Sequence, residues 1–300
     1  MRKVEILDLQ FQDANETIGA FLVESSEGLI LIETGPESTF SMLKHKVAAL
    51  GYQISDIRHV LLTHIHFDHA GAAWKLAKGG AQIYVHPVGS PHLASPERLW
   101  NSASLIYGKE NMEKLWGRME PISQHAITEA AHGESFVFGD VVFTAWHTPG
   151  HASHHIAWEF EGGLFAGDVG GVKICGGPVV PPCPPPDIHL EAWAASLGLI
   201  RKIAPSRLFL THFGVVDEVG SHLSELELSI DSWAKWMKNE FDKGATVDDT
   251  TPRFMEFTRS QMNILRISED VQSLYEYANP SWMSVAGLMR YWKLKAQGRL

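Results

Sequence analysis

Three imidazoles and a carboxylate fall within six residues, His64-Ile65-His66-Phe67-Asp68-His69, at the end of an apolar run that closes on Thr63. Side chains of an extended segment alternate with period two, so His64 and His66 point the same way. If the chain then turns into a helix, Asp68 and His69 face a second point nearby. A fold that accommodates this segment therefore needs a strand ending in a sharp turn, with space beside it for further ligands. Such a cluster can feed two metal ions, each through its own ligands. Neutral imidazole and carboxylate suit Zn, Fe or Mn, and no thiolate is required. Alone, the heptapeptide from Thr63 also fits a solvated histidine-rich loop.

What separates the two readings is the company the segment keeps. His151 lies in Thr148-Pro-Gly-His after a strand-like run at 141–146. Asp168 lies in Ala166-Gly-Asp after residues 164–165, and His212 closes Leu208-Phe-Leu-Thr-His. Each alone reads as a cap or a hydrogen-bonded surface group. Together they repeat one arrangement, an apolar strand ending in a metal-ligand side chain. A faint internal echo supports it, because Arg58-His-Val-Leu-Leu-Thr-His and Arg207-Leu-Phe-Leu-Thr-His both end in Thr-His.

The rest of the chain supplies strands and helices to carry these ends. Short apolar or β-branched runs at 4–11, 18–24, 29–33, 59–63 and 82–85 predict strands, with helices expected at 36–50 and 70–78. Residues 92–120 read as helical and could cover a pocket with their Trp and Met. Strands return at 135–138, 141–146, 156–160 and 164–166, followed by a helix at 191–203 and a strand at 207–210. This alternation is α/β organisation around buried sheet. The run Gly176 to Pro186 carries Pro at 178, 181, 182, 184, 185 and 186, so it can be neither helix nor central strand. It predicts a stiff loop, and its place after Asp168 suggests a pocket wall. Val219, Leu223, Leu226, Ile230, Trp233 and Met237 are spaced 4, 3, 4, 3, 4 and share one helix face. Helical breaks are expected near 244–252 and at Pro280. We expect a catalytic domain at 1–216 and a helical extension at 217–300 packed on it.

Charge narrows the partners. With 25 Lys+Arg against 35 Asp+Glu, the formal net charge is -10, which disfavours nucleic acid, since phosphate affinity comes from basic neutralisation. The first ten residues carry charges throughout and no apolar leader stretch. No run of about 18 uncharged apolar residues offers a membrane span. Cys175 and Cys183 allow at most one bridge and no disulfide framework. We expect a cytoplasmic protein with a small-molecule substrate and no nucleic-acid or membrane partner.

The order His-x-His-x-Asp-His, Thr-Pro-Gly-His, Gly-Asp, Thr-His resembles the metallo-β-lactamase-fold hydrolase superfamily, over Ile32 to His212. The C-terminal helices resemble the additions of its glyoxalase II-like branch. The resemblance implies an αββα sandwich with a two-metal site at one edge. It implies that His64, His66 and His151 hold one metal, that Asp68, His69 and His212 hold the other, and that Asp168 bridges them. Two such ions about 3.5–4 Å apart can hold a bridging hydroxide and present it to a carbonyl. We expect two divalent ions, Zn before Fe or Mn, with Asp68 as the candidate catalytic residue. Glu33, Thr63, Thr148 and Thr211 are candidates to orient the ligands. At 33 the superfamily commonly carries Asp, whereas this chain carries the longer acid. Among the remaining histidines, His154, His155 and His189 are candidates to face the pocket.

Departures from relatives narrow the substrate. Asp168 in place of Cys argues against the β-lactamases proper, and His66 in place of Glu argues against the di-iron oxidase branch. Glyoxalase II and persulfide dioxygenases usually carry Gly-Cys-Gly-Arg after the bridging Asp; this chain has Ile174-Cys-Gly-Gly177, without the Arg. Gly171 stands where several lactonases carry Tyr. The reading that remains is a hydrolase of an ester, thioester or lactone bond in a small, partly apolar substrate. The alternatives are a mononuclear-iron persulfide dioxygenase using His64, His151 and Asp168, and a glutathione-thioester hydrolase. The helical extension could cap the site or form the contact of a homodimer.

Overall fold

The computed structural model describes residues 2–300. Two six-stranded sheets form its centre. The first runs β1 (Glu5–Asp8), β2 (Gly19–Ser25), β3 (Gly28–Ile32), β4 (Ile57–Leu61), β5 (Gln82–Val85), β6 (Ile127–Glu129) in spatial order. It is antiparallel from β1 to β3 and parallel from β3 to β6. The second holds β7 (Ser135–Phe138), β8 (Val141–His147), β9 (Ile156–Phe160), β10 (Gly163–Phe165), β11 (Arg207–Leu210) and β12 (Gly214–Val216). Only β10 and β11 pair in parallel there.

Period-two alternation sorts these strands into layers. In β2, Phe21 and Val23 enter the core between the sheets, while Ala20 and Leu22 face the outer helices. In β3, Ile30 and Ile32 point inward and Leu29 and Leu31 outward. The second sheet repeats this, with Phe165 and Phe209 inside and Leu164, Leu208 and Leu210 outside. Both faces are buried, which is why these strands read as continuous apolar runs. Aromatics dominate the inner layer; Phe165 stacks on Phe209 with ring centroids 4.5 Å apart.

Helices cover both outer faces, completing an αββα sandwich. On the first sheet lie α1 (Phe40–Ala49), the short α2 (Phe67–Ala70) and α3 (Ala73–Lys78), with Leu43, Val47, Trp74 and Leu76 buried. Then come α4 (Ser90–Ala94), α5 (Glu97–Tyr107) and α6 (Lys109–Trp116). On the second sheet, α7 (Leu190–Ile203) and α8 (Val219–Asp242) bury Trp193, Leu197, Leu223 and Leu226. The six-residue apolar face expected from Val219 to Met237 packs into this cluster. The C-terminal region continues with α9 (Val247–Ile264), α10 (Glu269–Ala278) and α11 (Ser281–Ala296). No helix among the described residues is long and apolar enough to cross a membrane.

Three differences from the sequence reading have local causes. The strands β6 and β12 are three residues each, too short for a period to register. The expected strand at 4–11 stops at Asp8, and residues Phe11–Asp13 form a 3-10 turn. The break expected near 244–252 is confined to the residues before Val247, and Pro252 sits inside α9. There it removes only the single bond its nitrogen would have donated, while Thr246 caps the helix by accepting from the Asp249 N–H.

Candidate metal centre

Five strands deliver their C-terminal ends to one edge of the sandwich. Glu33 follows β3, the segment Thr63 to His69 follows β4, His151 follows β8, Asp168 follows β10 and His212 follows β11. The structure thus brings together all seven ligand candidates named above, four from the first sheet and three from the second. The turn after β4 becomes α2, with Asp68 and His69 in that single helical turn. Ring nitrogens of His64, His66 and His151 form one tight group, and atoms of Asp68, His69 and His212 form a second, each within 4.8 Å. Asp168 touches both groups, with Oδ2 3.3 Å from His151 Nε2 and Oδ1 3.3 Å from His69 Nε2 and 3.5 Å from His212 Nε2.

Hydrogen bonds behind the rings fix which nitrogens face inward. Carbonyl oxygens only accept, so His151 Nδ1–H donates to Pro182 O at 2.9 Å and His212 Nδ1–H donates to Thr17 O at 2.6 Å. His69 Nδ1–H donates to Glu33 Oε1 at 2.9 Å. Thr63 spends its hydroxyl proton on Glu33, so His64 Nδ1–H donates to Thr63 Oγ1 at 3.0 Å. All four rings therefore turn Nε2 inward. Second partners of this kind are what metal-bound imidazoles require. Glu33, one methylene longer than the expected acid, still reaches His69, the Thr63 N–H and Thr211 Oγ1.

The inward atoms are short of partners. His69 Nε2, His212 Nε2 and Asp168 Oδ1 are buried and make no hydrogen bond among the described residues. In the other group, His66 Nδ1 lies 2.9 Å from His64 Nε2 and 3.1 Å from His151 Nε2. Unpaired buried polar atoms cost about 1–3 kcal/mol each, and several pointing at one another fit a cation between them. Glu33 also lies close to His64 and His69, but its oxygens are already occupied by Thr63 and His69.

Electrostatics divides the cluster. Burial, reinforced by neighbouring imidazoles, holds His64 well below the ordinary imidazole range and brings His66 down to about 4. Burial also opposes charge on His69, but Asp168, Asp68 and Glu33 outweigh it and raise this ring well above its usual value. Asp168 mirrors this: burial disfavours its charge, yet His69, His151 and His212 hold it well below the carboxylate range. One half is thus neutral and ready to donate lone pairs, and the other consists of charge-compensated acid–imidazole pairs.

A cavity of about 900 Å³ opens onto the cluster, with His66, Asp68 and Asp168 among its lining residues. The proline-rich loop forms one wall through Pro182, Pro184, Pro185 and Pro186, as expected. Residues 92–116 form another; Trp116 lines the cavity, whereas Met112 is buried in the core of the first layer. The C-terminal helices supply a third wall at the α10–α11 turn. His154 lines the cavity, while His155 lies behind it with Nδ1 2.8 Å from Thr148 Oγ1. His189 instead caps α7, accepting from the Ala192 N–H. Cys175 and Cys183 are unpaired, and neither lines the cavity. Three groups lay beyond sequence reasoning. Arg98, which lines the cavity, carried no signal, and the carbonyls of Thr17 and Pro182 belong to no recognisable residue type.

The chain matches the family model described as metallo-beta-lactamase superfamily over residues 18–212. It is 28% identical over 180 residues to the metallo-beta-lactamase fold-containing protein ST1585 of Sulfurisphaera tokodaii, covering 58% of this chain and 67% of that one. It is 27% identical over 201 residues to the beta-lactamase-like protein 2 homolog of Drosophila melanogaster, covering 66% of this chain but only 59% of the fly protein. Among solved structures, the metallo-beta-lactamase family protein TTHA1429 of Thermus thermophilus superposes with a TM-score of 0.71 at 20% identity, over 98% of this chain and 94% of that one. At that identity the likeness is one of fold.

Proposed function

Because the chain belongs to the metallo-beta-lactamase superfamily, we propose that it is a metal-dependent hydrolase that cleaves an ester, thioester or lactone bond in a small, partly apolar substrate. The observation that carries this reading is the set of buried inward atoms without hydrogen bonds on His69, His212 and Asp168, beside the His64, His66 and His151 triad. In this reading His64, His66 and His151 hold one divalent ion, Asp68, His69 and His212 hold a second, and Asp168 serves both. A bound pair of divalent ions lowers the pKa of water and polarises a carbonyl oxygen. The chain's own groups do the positioning. Glu33, Thr17 O and Pro182 O lock His69, His212 and His151 in the tautomer that aims Nε2 inward. Asp68, with 19% of its side chain accessible, is the most exposed carboxylate of the cluster and faces the cavity. We assign it the catalytic role beside the substrate.

Two unpaired thiols support assignment to the cytoplasm. The C-terminal helices that wall the cavity support placement near the glyoxalase II-like branch, and the missing Arg after Cys175 separates the substrate from glutathione.

Elemental analysis of the purified protein, normalised per chain, tests the centre directly. About two equivalents of Zn, Mn or Fe are expected. A single equivalent of iron, with oxygen consumed on a persulfide, would replace the hydrolase by a dioxygenase. Asp68→Ala and His212→Ala should each lose one equivalent of metal and lower hydrolysis of an ester, thioester and lactone panel by about 100-fold or more. Near-normal turnover in both would sink the two-metal reading.

A further inference from the structure

We propose that the substrate is an elongated apolar chain ending in a carboxylate, with Arg98 receiving that carboxylate at the mouth of the cavity. The inference rests on the hydrolase reading and names the substrate class of the same site. Its first support is space. At about 900 Å³ the cavity is near the upper end of small-molecule sites, which run from roughly 300 to 1,000 Å³, and far exceeds what the reacting bond needs.

The second support is the chemistry of the walls. Helices α5 and α6 present Leu99, Ala103, Tyr107, Leu115 and Trp116 to the space. The α10–α11 turn presents Tyr277, Trp282 and Met283 from the opposite end of the chain. These walls touch one another: Tyr107 Oη donates to Met283 Sδ at 2.9 Å, and the Tyr107 and Trp282 rings meet edge-on at 5.3 Å. The result is an apolar gallery that shares one cavity with His66, Asp68 and Asp168, suited to methylene or aromatic groups.

The third support is the balance of charge along that gallery. Asp68 and Asp168 belong to the cluster. Asp187 is engaged by the N–H and hydroxyl of Ser153, at 3.3 and 2.6 Å. Glu276 is engaged by the N–H and hydroxyl of Ser281. Arg98 is the only Lys or Arg among the described lining residues, and it makes no ion pair or hydrogen bond with the described residues. It lines the cavity and is exposed to solvent. In a chain of net charge -10, an unpaired guanidinium at the mouth of an apolar cavity is a local exception to the surrounding field. A guanidinium binds a carboxylate through two parallel hydrogen bonds, a geometry no neutral group reproduces.

The test is binding to the metal-loaded enzyme, followed by quenching of intrinsic tryptophan fluorescence, since Trp116 and Trp282 line the cavity. The probes are straight-chain monocarboxylates and α,ω-dicarboxylates of matched length. Affinity should rise roughly three- to fourfold per methylene until the gallery is filled. At one chain length the dicarboxylate should bind about tenfold tighter than the monocarboxylate. Arg98→Gln should erase that advantage and leave thermal melting unchanged. Trp282→Ala should flatten the length dependence with Arg98 in place. Affinity indifferent to length, or a dicarboxylate preference that survives Arg98→Gln, would overturn the proposal. Ester and thioester turnover by the same preparation separates the two readings. Binding as described without turnover removes the hydrolase, whereas turnover indifferent to chain length and terminal acid removes the recognition proposal and leaves the hydrolase.

Discussion

Glu33 concentrates several demands in one side chain. It is fully buried, holds φ at +64°, and accepts from His69, from the Thr63 amide and hydroxyl, and from Thr211. A left-handed φ costs a residue with a Cβ about 1–2 kcal/mol, so the conformation persists only because the surrounding bonds determine it. Glu33→Gln replaces one acceptor oxygen by an NH2 group that faces other donors. We expect a loss of about 2 kcal/mol in urea denaturation and a roughly 10- to 100-fold weaker metal affinity by chelator competition. Unchanged affinity would mean that Glu33 does not orient His69. His86 illustrates a different residue-scale effect, away from the cluster. Burial, then His147 and His154, bring its pKa down to about 4, and its Nδ1 accepts from the Val88 N–H at 3.0 Å. Its native pKa lies below the unfolded value, so the unfolded chain takes the proton first as pH falls. Stability is therefore intact above about pH 6.5 and declines toward pH 4, by up to about 2 kcal/mol at pH 5 from this group. His86→Asn keeps an acceptor for Val88 and removes the titration. Its denaturation midpoint should change less between pH 7 and pH 5 than the wild type's; an identical change would clear His86 of the effect.

At the scale of elements, helix α7 holds the loops that carry His151 and Asp168. Ser196 Oγ donates to Pro149 O at 2.6 Å, the His189 N–H to Gly150 O at 2.9 Å, and Trp193 Nε1–H to Val169 O at 3.0 Å. Gly150 has φ +143°, and a Cβ there would lie 2.4 Å from Trp193 Cα. Gly150→Ala must push loop and helix apart, so we expect a loss of about 3 kcal/mol together with less metal per chain. Gly198 on the same helix has nothing within 4 Å of its Cβ position, and Gly198→Ala should instead stabilise by about 0.5–1 kcal/mol. Equal effects of the two on thermal melting would refute this account of the packing. The contrast also shows what sequence could and could not reveal. Strand ends bearing His or Asp were legible because doubly buried strands leave continuous apolar runs, and the polar side chain at each end breaks the run. The proline-rich wall was legible because proline excludes regular structure. The carbonyls that orient His151 and His212 were not, since every residue has one and only the fold selects which is used. Arg98 was equally silent, because an exposed arginine has no local pattern until a cavity forms beside it.

Across the whole molecule, the cluster sits on the seam between two sheets whose main joint is the apolar layer of Phe21, Phe143, Phe165, Phe209 and their neighbours. His64, His66, Asp68 and His69 come from one sheet, and His151, Asp168 and His212 from the other. A few direct bonds cross the seam, such as the Ile156 N–H to Thr63 O at 2.7 Å and Trp158 Nε1–H to Leu62 O at 3.0 Å. Metal held by this set would therefore fasten the sheets as well as serve the reaction, and its removal would leave the inward atoms of His69, His212 and Asp168 buried without hydrogen bonds. Ligand binding stabilises the native state by mass action, about 4 kcal/mol at a free concentration roughly 1,000 times Kd. For a chain of 300 residues that corresponds to roughly 6 °C in Tm. Calorimetry before and after chelation should show such a drop, reversed when the native metal is returned. His64→Ala and His212→Ala should each lose part of the chelator-sensitive increment, because the first removes a ligand from one group and the second from the other. A Tm indifferent to chelation, in protein shown to have carried metal, would mean that the seam is held by the aromatic layer alone and that the metal contributes to chemistry without contributing to the fold.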